Sequence, residues 1–149
     1  MSSDCIDAKE SDYLYLASSQ IPLAGKGLFV SIPVYKNEVI ALFKGEVLTS
    51  AEASRRAKLG QDGYFINCLD GSILDSMHVK CFAKYANDPL ASGGNIARSK
   101  FKTNADIALD DDERICLIAT RNLKVGEEVF CSYGKQYWLN FHQHSSRKK

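Results

Sequence analysis

Three short segments of the sequence carry residues that can line a pocket for a small molecule. Residues 25–27 read Gly-Lys-Gly, and glycine lets a main chain approach a ligand closely. Residues 87–88 supply an amide and a carboxylate, and Tyr133 supplies a phenol next to a glycine. Each segment alone fits an ordinary turn or a half-buried core residue. Taken together, glycine-bordered backbone, an amide and a phenol predict a cofactor site.

Short strands and tight turns are predicted to position these segments. Apolar runs bounded by turn residues predict strands at 13–17, 27–30, 39–43, 64–69, 72–74, 105–109 and 114–120. One helix is predicted over 51–59, with Thr49 or Ser50 as its N-cap and Gly60 at its end. Residues 76–86 are predicted to form a second short helix. Many short strands with little helix predict a mostly-β fold.

The composition argues against several classes of function. The 19 Lys and Arg residues balance 18 Asp and Glu residues to give a net charge of +1, so direct nucleic-acid binding is not predicted. The five cysteines include no C-x-x-C pair, which argues against a zinc site, and their odd number argues against a full disulfide framework and favours a reducing compartment. No apolar stretch reaches about 18 residues, so no membrane contact is predicted. The sequence therefore favours the cytoplasm or the nucleus.

Further short motifs accompany these segments in a definite order. The chain reads Ser-x-Ile-Pro-x-x-Gly-x-Gly-Leu-Phe, Phe-x-Gly-Glu-Val-Leu, Tyr-Phe-x-x-x-Leu-Asp-Gly, Ile-Leu-Asp, Lys-Tyr-Ala-Asn-Asp, Asn-Ala and Gly-Glu-Glu-Val-x-x-Ser-Tyr-Gly. This order resembles the SET domain of protein-lysine methyltransferases over residues 13–138. The ending at 132–138 is most similar to the compact, viral-type members, which lack cysteine-rich flanks. Residues 1–12 are then expected to be a flexible N-terminus and 139–149 a polar, basic tail.

The resemblance implies a fold, a cofactor and a reaction. The fold would be mostly β, with small twisted sheets, one or two short helices and a C-terminal pseudoknot in which the last segment is threaded through a loop. S-adenosylmethionine would lie in one cleft, and the substrate lysine would enter from the opposite face through a narrow channel. The neutral lysine amine would attack the cofactor's methyl group in line, and no Asp, Glu or His would be needed as a base.

The resemblance also assigns roles to residues of this chain. The residues that would bind the cofactor are Lys26, Gly27, Leu28, Asn87, Asp88, Tyr133 and Trp138. Phe43, Tyr64 and Cys131 would line the lysine channel, where aromatic walls suit an alkylammonium group. Tyr133 would also be the catalytic residue, because its hydroxyl would orient the amine toward the methyl group.

Several positions depart from the pattern of the family. Asp88 stands where histidine is usual, so binding depends on whether this position acts through its backbone. Lys84 replaces an arginine, which keeps the charge but loses the bidentate fork. Cys131 replaces an aromatic residue that limits methylation, so di- or trimethylation is expected. Tyr137 is an alternative to Trp138 for stacking on the adenine.

The function that the resemblance implies is S-adenosylmethionine-dependent methylation of a protein lysine, with a histone tail as the substrate and the nucleus as the preferred location. A methyltransferase for a non-histone protein and a catalytically silent SET-like module that binds a peptide are the alternatives. The acidic run at 110–113 is expected to form a solvated turn or, alternatively, to attract a basic peptide. Pairing of two copies as a homodimer stays open.

Overall fold

The computed structural model describes residues 4–68, 71–89 and 101–132. These residues form two compact units. The first unit holds the described residues of Met1–Phe43 and Phe82–Tyr133, and the second unit holds those of Lys44–Cys81. The threading expected for a C-terminal pseudoknot involves residues after 132, so it lies outside the described part of the chain.

Short strands and helices alternate along the described chain. In chain order they are β1 Asp4–Cys5, α1 Glu10–Tyr13, β2 Leu14–Ser18, β3 Lys26–Val30, β4 Glu38–Leu42, β5 Glu46–Leu48, α2 Ser50–Lys58, β6 Phe65–Asn67, β7 Ile73–Asp75, a 3-10 turn Ala83–Tyr85, β8 Ala105–Leu109, β9 Ile115–Ala119 and β10 Glu128–Val129. This composition confirms the prediction of a mostly-β fold. Neither helix of the described residues is long and apolar enough to cross a bilayer.

The strands of the described residues form three small sheets, two in the first unit and one in the second. The first unit has a four-stranded sheet in the order β1-β4-β9-β8 and a three-stranded sheet in the order β10-β3-β2. The second unit has a three-stranded sheet in the order β5-β7-β6. Every pairing is antiparallel except that of β1 with β4. Small antiparallel sheets therefore supply the framework of both units.

Apolar strands build the core of the first unit. Ile40 and Ala41 of β4 are buried, and Cys116 and Leu117 are fully buried on the paired strand β9. Tyr13 at the end of α1 is buried as well, and its hydroxyl donates to the Ile40 carbonyl oxygen at 2.7 Å. Burial raises the pKa of this phenol well above its ordinary value, so the hydroxyl remains a donor.

The N-terminal segment supplies an edge strand, β1, of the four-stranded sheet. Cys5 of β1 lies opposite Val39, and the carboxylate of Glu10 accepts the N–H of Leu42 at 2.9 Å. The sequence predicted a flexible terminus over 1–12, and the structure places β1 and the start of α1 within that segment. Their bonds satisfy backbone groups that β4 would otherwise expose.

Helix α2 of the second unit begins and ends where its cap residues predict. Thr49 is the N-cap, and its Oγ1 accepts the N–H of Glu52 at 3.2 Å. Gly60 follows the last turn of the helix. One apolar cluster of this unit is formed by Leu48, Ala53 and Phe65, with Ile73 packed against them.

The prediction of a helix over 76–86 is wrong for most of its length, because only the 3-10 turn at Ala83–Tyr85 forms there. Just before this segment, the carboxylate of Asp75 accepts the N–H of Met77 at 3.0 Å. Such a local bond from an aspartate side chain competes with the bonds of a helix. The helical spacing of apolar residues therefore reflects partial burial along an irregular segment.

Candidate active site

Strand β3 carries three of the predicted cofactor-binding residues, Lys26, Gly27 and Leu28, between β2 and β10. Leu28 is fully buried opposite Val129 of β10, whereas Lys26 is exposed at the start of the strand. Gly25, just before the strand, has a φ of 75°, in the left-handed region that favours glycine. The predicted turn thus leads directly into the backbone that is expected to bind the cofactor.

Asn87 joins this strand to the segment that leads toward Tyr133. Its side-chain Nδ2 donates to the Lys26 carbonyl oxygen at 3.1 Å. Its own carbonyl oxygen accepts the N–H of Cys131 at 3.0 Å, beside a parallel bridge between Asn87 and Phe130. The structure therefore brings together the backbone of β3, the amide of Asn87 and the chain at Cys131, which lie far apart in sequence.

The 3-10 turn at Ala83–Tyr85 positions Asn87. This turn contacts both β3 and β4. Ala83 and Ala86 are almost completely buried, which leaves the chain little freedom just before Asn87. Asp88, the next predicted residue, is also buried. Burial of these residues therefore fixes the segment at 87–88, where a ligand is expected, within the first unit.

Two buried polar residues support this site and were not predicted from the sequence. Asn104 is fully buried, its Nδ2 donates to the Glu128 carbonyl oxygen at 2.8 Å, and its Oδ1 accepts the N–H of Phe130 at 2.8 Å. The second residue, Glu128, is fully buried in β10. The sequence offers one signal for each of them. Asn104 stands directly before an apolar strand, and the carboxylate of Glu128 stands beside apolar strand residues.

The predicted channel residues are distributed over both units. Phe43 follows β4 and is buried in the first unit, where Cys131 is also fully buried. Tyr64 belongs to the second unit and is partly exposed. The channel therefore stays a prediction. Tyr133 and Trp138 lie outside the described residues, so their roles stay predictions as well.

Two polar groups at the start of β3 can serve a ligand. Within the described residues, the Nζ of Lys26 forms no ion pair and the Oδ1 of Asn87 accepts no hydrogen bond. The bond of 3.1 Å from Asn87 to the Lys26 backbone keeps these two residues side by side. A cation beside a hydrogen-bond acceptor suits the carboxylate and the ammonium of an amino-acid group.

Comparison with known proteins identifies a family and similar proteins. A family model described as the SET domain matches residues 25–134, which is most of the chain. The histone-lysine N-methyltransferase mes-2 of Caenorhabditis elegans is 30% identical over 114 residues, 74% of this chain and 14% of that protein. The histone-lysine N-methyltransferase EZ2 of Zea mays is 25% identical over 128 residues, 84% of this chain and 13% of that protein.

A solved structure shares the fold of the chain. It is a humanized mutant of the Chaetomium thermophilum Polycomb Repressive Complex 2 bound to the inhibitor GSK126. The TM-score is 0.65 at 23% sequence identity, and the match covers 83% of this chain and 15% of that chain. This likeness confirms the predicted fold. The chain spans 13–14% of the length of the two curated relatives described above.

Proposed function

Because the chain belongs to the SET-domain family, we propose that it transfers methyl groups from S-adenosylmethionine to the side-chain amine of a protein lysine. The observation that best supports this proposal is the double role of Asn87. It donates to the Lys26 carbonyl oxygen at 3.1 Å and accepts the N–H of Cys131 at 3.0 Å. Separate parts of the chain thus meet at one residue, through its side chain on one side and its backbone carbonyl oxygen on the other, as a preorganised binding site requires.

The residues at the start of β3 fit the proposed cofactor. The amino-acid part of S-adenosylmethionine carries a carboxylate and an ammonium, which match the Lys26 cation and the Oδ1 of Asn87. Gly27, Leu28 and Asp88 are proposed to complete the site through their backbone. When bound, S-adenosylmethionine supplies a methyl group activated by a positively charged sulfur.

Tyr133 is the proposed catalytic residue. Its hydroxyl would accept a hydrogen bond from the lysine amine and so orient the nitrogen lone pair, which contributes geometry more than proton transfer. Phe43, Tyr64 and Cys131 are proposed to enclose the lysine side chain, and Trp138 to stack on the adenine. The small thiol of Cys131 leaves room for a second or third methyl group.

The lysine must react as a neutral amine. A lysine with a pKa of about 10.4 costs about 4.6 kcal/mol to deprotonate at pH 7. A channel that excludes water disfavours the ammonium form, and a neighbouring positive charge disfavours it further. Both effects lower the pKa of the amine, so the proposed reaction needs no carboxylate or histidine as a base.

We propose a histone tail as the substrate and the nucleus as the place of action. The support comes from mes-2 and EZ2, which are named histone-lysine N-methyltransferases. The structural neighbour is a Polycomb complex, which agrees with a role in chromatin. A lysine in another protein is the alternative substrate, and the experiment below distinguishes the two.

Incubation of the full chain with radiolabelled S-adenosylmethionine and core histones tests the proposal. We expect label on a histone lysine, and we expect Tyr133→Phe to reduce turnover by about 100-fold or more because the amine loses its orienting oxygen. Calorimetry should still detect cofactor binding by this variant. Tyr35→Phe is the matched control, because Tyr35 is 57% exposed and should leave turnover unchanged.

Each outcome of this experiment assigns one function. Label confined to other proteins of a cell extract would replace the histone substrate with a non-histone one. No heat on titration of S-adenosylmethionine into the wild-type chain would exclude the enzyme and leave the peptide-binding module. Undiminished turnover of Tyr133→Phe would contradict the role given to this tyrosine.

A further inference from the structure

Glu128 carries a carboxylate without exposed surface in strand β10. It lies in β10 opposite Phe29 of β3, and its exposure is 0%. Burying a carboxylate is costly unless hydrogen bonds satisfy its oxygens. The proposed reaction uses no carboxylate as a base, so the chemistry of the site does not account for this residue.

Both oxygens of this carboxylate bind the loop that leads into β3. Oε2 accepts the Ser19 hydroxyl at 2.6 Å, and Oε1 accepts the N–H of Gln20 at 2.8 Å. The Ser19 Oγ accepts the N–H of Ile21 at 3.1 Å, and the Ser19 N–H donates to the Gly25 carbonyl oxygen at 2.8 Å. These bonds hold residues 19–25 in one conformation around the carboxylate.

Gly27 lies against the same carboxylate. A Cβ added to Gly27 would collide with the carboxylate of Glu128, and it would lie 3.3 Å from the Cα of Ser19. From the sequence alone, Gly27 was expected to let the main chain approach a ligand closely. The structure adds a second reason, because a side chain of the protein itself fills the space beside the β3 backbone.

The main chain that carries this carboxylate is fixed independently. The Nδ2 of Asn104 donates to the Glu128 carbonyl oxygen at 2.8 Å, and the Oδ1 of Asn104 accepts the N–H of Phe130 at 2.8 Å. Glu128 therefore reaches from a rigid strand to the loop, and the loop follows the position of the carboxylate. A supporting residue of this kind sets the geometry of a site without touching its ligand.

We propose that Glu128 is a positioning residue for the cofactor site. Its carboxylate holds the 19–25 loop and, through its contact with Gly27, sets the position of the β3 backbone beside Asn87. This inference rests on the proposed function, because the ligand is S-adenosylmethionine. A carboxylate needed only for folding would change the fraction of folded protein, whereas a positioning carboxylate changes the affinity of the folded protein.

Calorimetric titration of S-adenosylmethionine into the full chain separates these roles. Glu128→Gln keeps the shape of the side chain but replaces one acceptor oxygen with an amide nitrogen, so a loop donor loses its partner. We expect the Kd to rise about tenfold with unchanged stoichiometry. In turnover assays, the KM for the cofactor should rise by the same factor while kcat stays within about twofold of the wild type.

Glu127→Gln is the matched control for this substitution. Glu127 precedes Glu128, is less buried, and accepts the N–H of Lys124 at 2.9 Å and a bond from Arg121 at 2.6 Å. It does not bind the 19–25 loop in the described structure. The Kd for S-adenosylmethionine should therefore stay unchanged in Glu127→Gln.

Gly27→Ala tests the contact from the side of the strand. It should weaken cofactor binding in the wild-type chain, but it should weaken binding little further in Glu128→Ala, because the colliding carboxylate is gone. Ser19→Ala removes one partner of the carboxylate without changing the strand. It should raise the Kd by about threefold, and it tests the proposal even if the Glu128 variants do not fold.

The outcomes distinguish this inference from the function on which it rests. No heat from the wild-type chain would overturn the proposed function and the positioning role together. Binding by the wild type with an equal Kd for Glu128→Gln and Ser19→Ala would overturn the positioning role alone. A lower stoichiometry at an unchanged Kd would also overturn it, because that result describes partial unfolding. Additive effects of Gly27→Ala and Glu128→Ala would contradict the shared contact.

Discussion

The two units hold their strands together by different kinds of polar contact. In the first unit, buried side chains bind the main chain. Asn104 binds the backbone of Glu128 and Phe130 through its amide, and the Tyr13 hydroxyl binds the Ile40 carbonyl oxygen. These bonds join strands directly, so they fix distances between backbone atoms.

The second unit relies on charged side chains around one guanidinium. Arg56 of α2 forms ion pairs at 3.0, 2.7 and 2.8 Å with Glu46, Glu52 and Asp75. One apolar cluster of this unit comprises Leu48, Ala53 and Phe65. Ion pairs respond to salt and to acid, whereas bonds from buried neutral groups to the backbone respond little to either. The Asn104 and Tyr13 contacts of the first unit therefore depend less on salt and acid than the ion pairs of Arg56 in the second unit.

The largest expected effect comes from Asn104→Ala in the first unit. This change leaves the Glu128 carbonyl oxygen and the Phe130 N–H without their buried partner, which should lower the free energy of unfolding by about 3 kcal/mol. Urea unfolding measures the loss. Asn122→Ala is the control, because the exposed Asn122 also accepts a backbone N–H, that of Lys36, and should cost less than about 1 kcal/mol. Equal losses would show that burial of the amide is unimportant.

A smaller effect is expected from Arg56→Met in the second unit. Hydrogen bonds from Arg55 and Arg56 lower the pKa of Glu52 from 4.5 to about 2, and the bond from Arg56 lowers the pKa of Glu46. A carboxyl group whose pKa is lower in the folded state stabilises the fold at pH values above its ordinary pKa. This stabilisation is lost as the pH falls through the folded-state pKa. The Tm difference between the wild type and Arg56→Met should therefore shrink as pH falls from 4.5 to about 2.

Arg55→Met serves as the control for that measurement. Arg55 is more exposed and, among the described residues, pairs with Glu52 alone, so its loss should lower the Tm at pH 7 less than the loss of Arg56 does. Thermal unfolding followed by circular dichroism gives both values. Equal Tm changes for the two variants, or a difference that persists at low pH, would contradict the role of the ion pairs.

The smallest expected effect is a difference in thiol labelling between the units. Cys116 is buried in the first unit, and burial raises its pKa to about 12, so it reacts only after the unit opens. Cys81 is buried in the second unit. Because Cys81 is 4% exposed whereas Cys116 is fully buried, we expect iodoacetamide to label Cys81 about tenfold faster, a difference of about 1.4 kcal/mol in opening free energy.

Mass spectrometry of digested protein measures both labelling rates. The exposed Cys5 provides the reference for a thiol that needs no opening of a core. Equal rates at Cys81 and Cys116 would show that the two units open together. The comparison between their frameworks would then have no consequence for local stability.

Local chemistry in the sequence predicted much of the fold. Thr49 caps α2 as expected, and the β8–β9 hairpin forms around the predicted acidic turn. Within that turn, the buried carboxylate of Asp110 accepts the N–H groups of Asp112 and Arg114 at 2.9 and 2.8 Å. Part of the acidic run is therefore structural. Caps and turns of this kind involve residues a few positions apart, so the sequence displays them.

Contacts between distant residues were not predictable in the same way. The bond between Ser19 and Glu128 spans 109 positions, and no periodicity or spacing indicates it. The resemblance to the family predicted that β3, Asn87 and the chain before Tyr133 belong to one site, and the described contacts of Asn87 join the first two to Cys131. The prediction of a helix at 76–86 was wrong because the spacing of its apolar residues does not reveal the competing bond from the Asp75 side chain.

The pairing of β3 with β10 has a consequence for the synthesis of the chain. Leu28 faces Val129 across the ladder, so β3 emerges from the ribosome long before the strand that completes its sheet. Until translation reaches that point, one edge of β3 presents unpaired N–H and C=O groups that can recruit a foreign strand. The strand proposed to bind the cofactor therefore stays open to misassembly or chaperone capture in the nascent protein until β10 has been made.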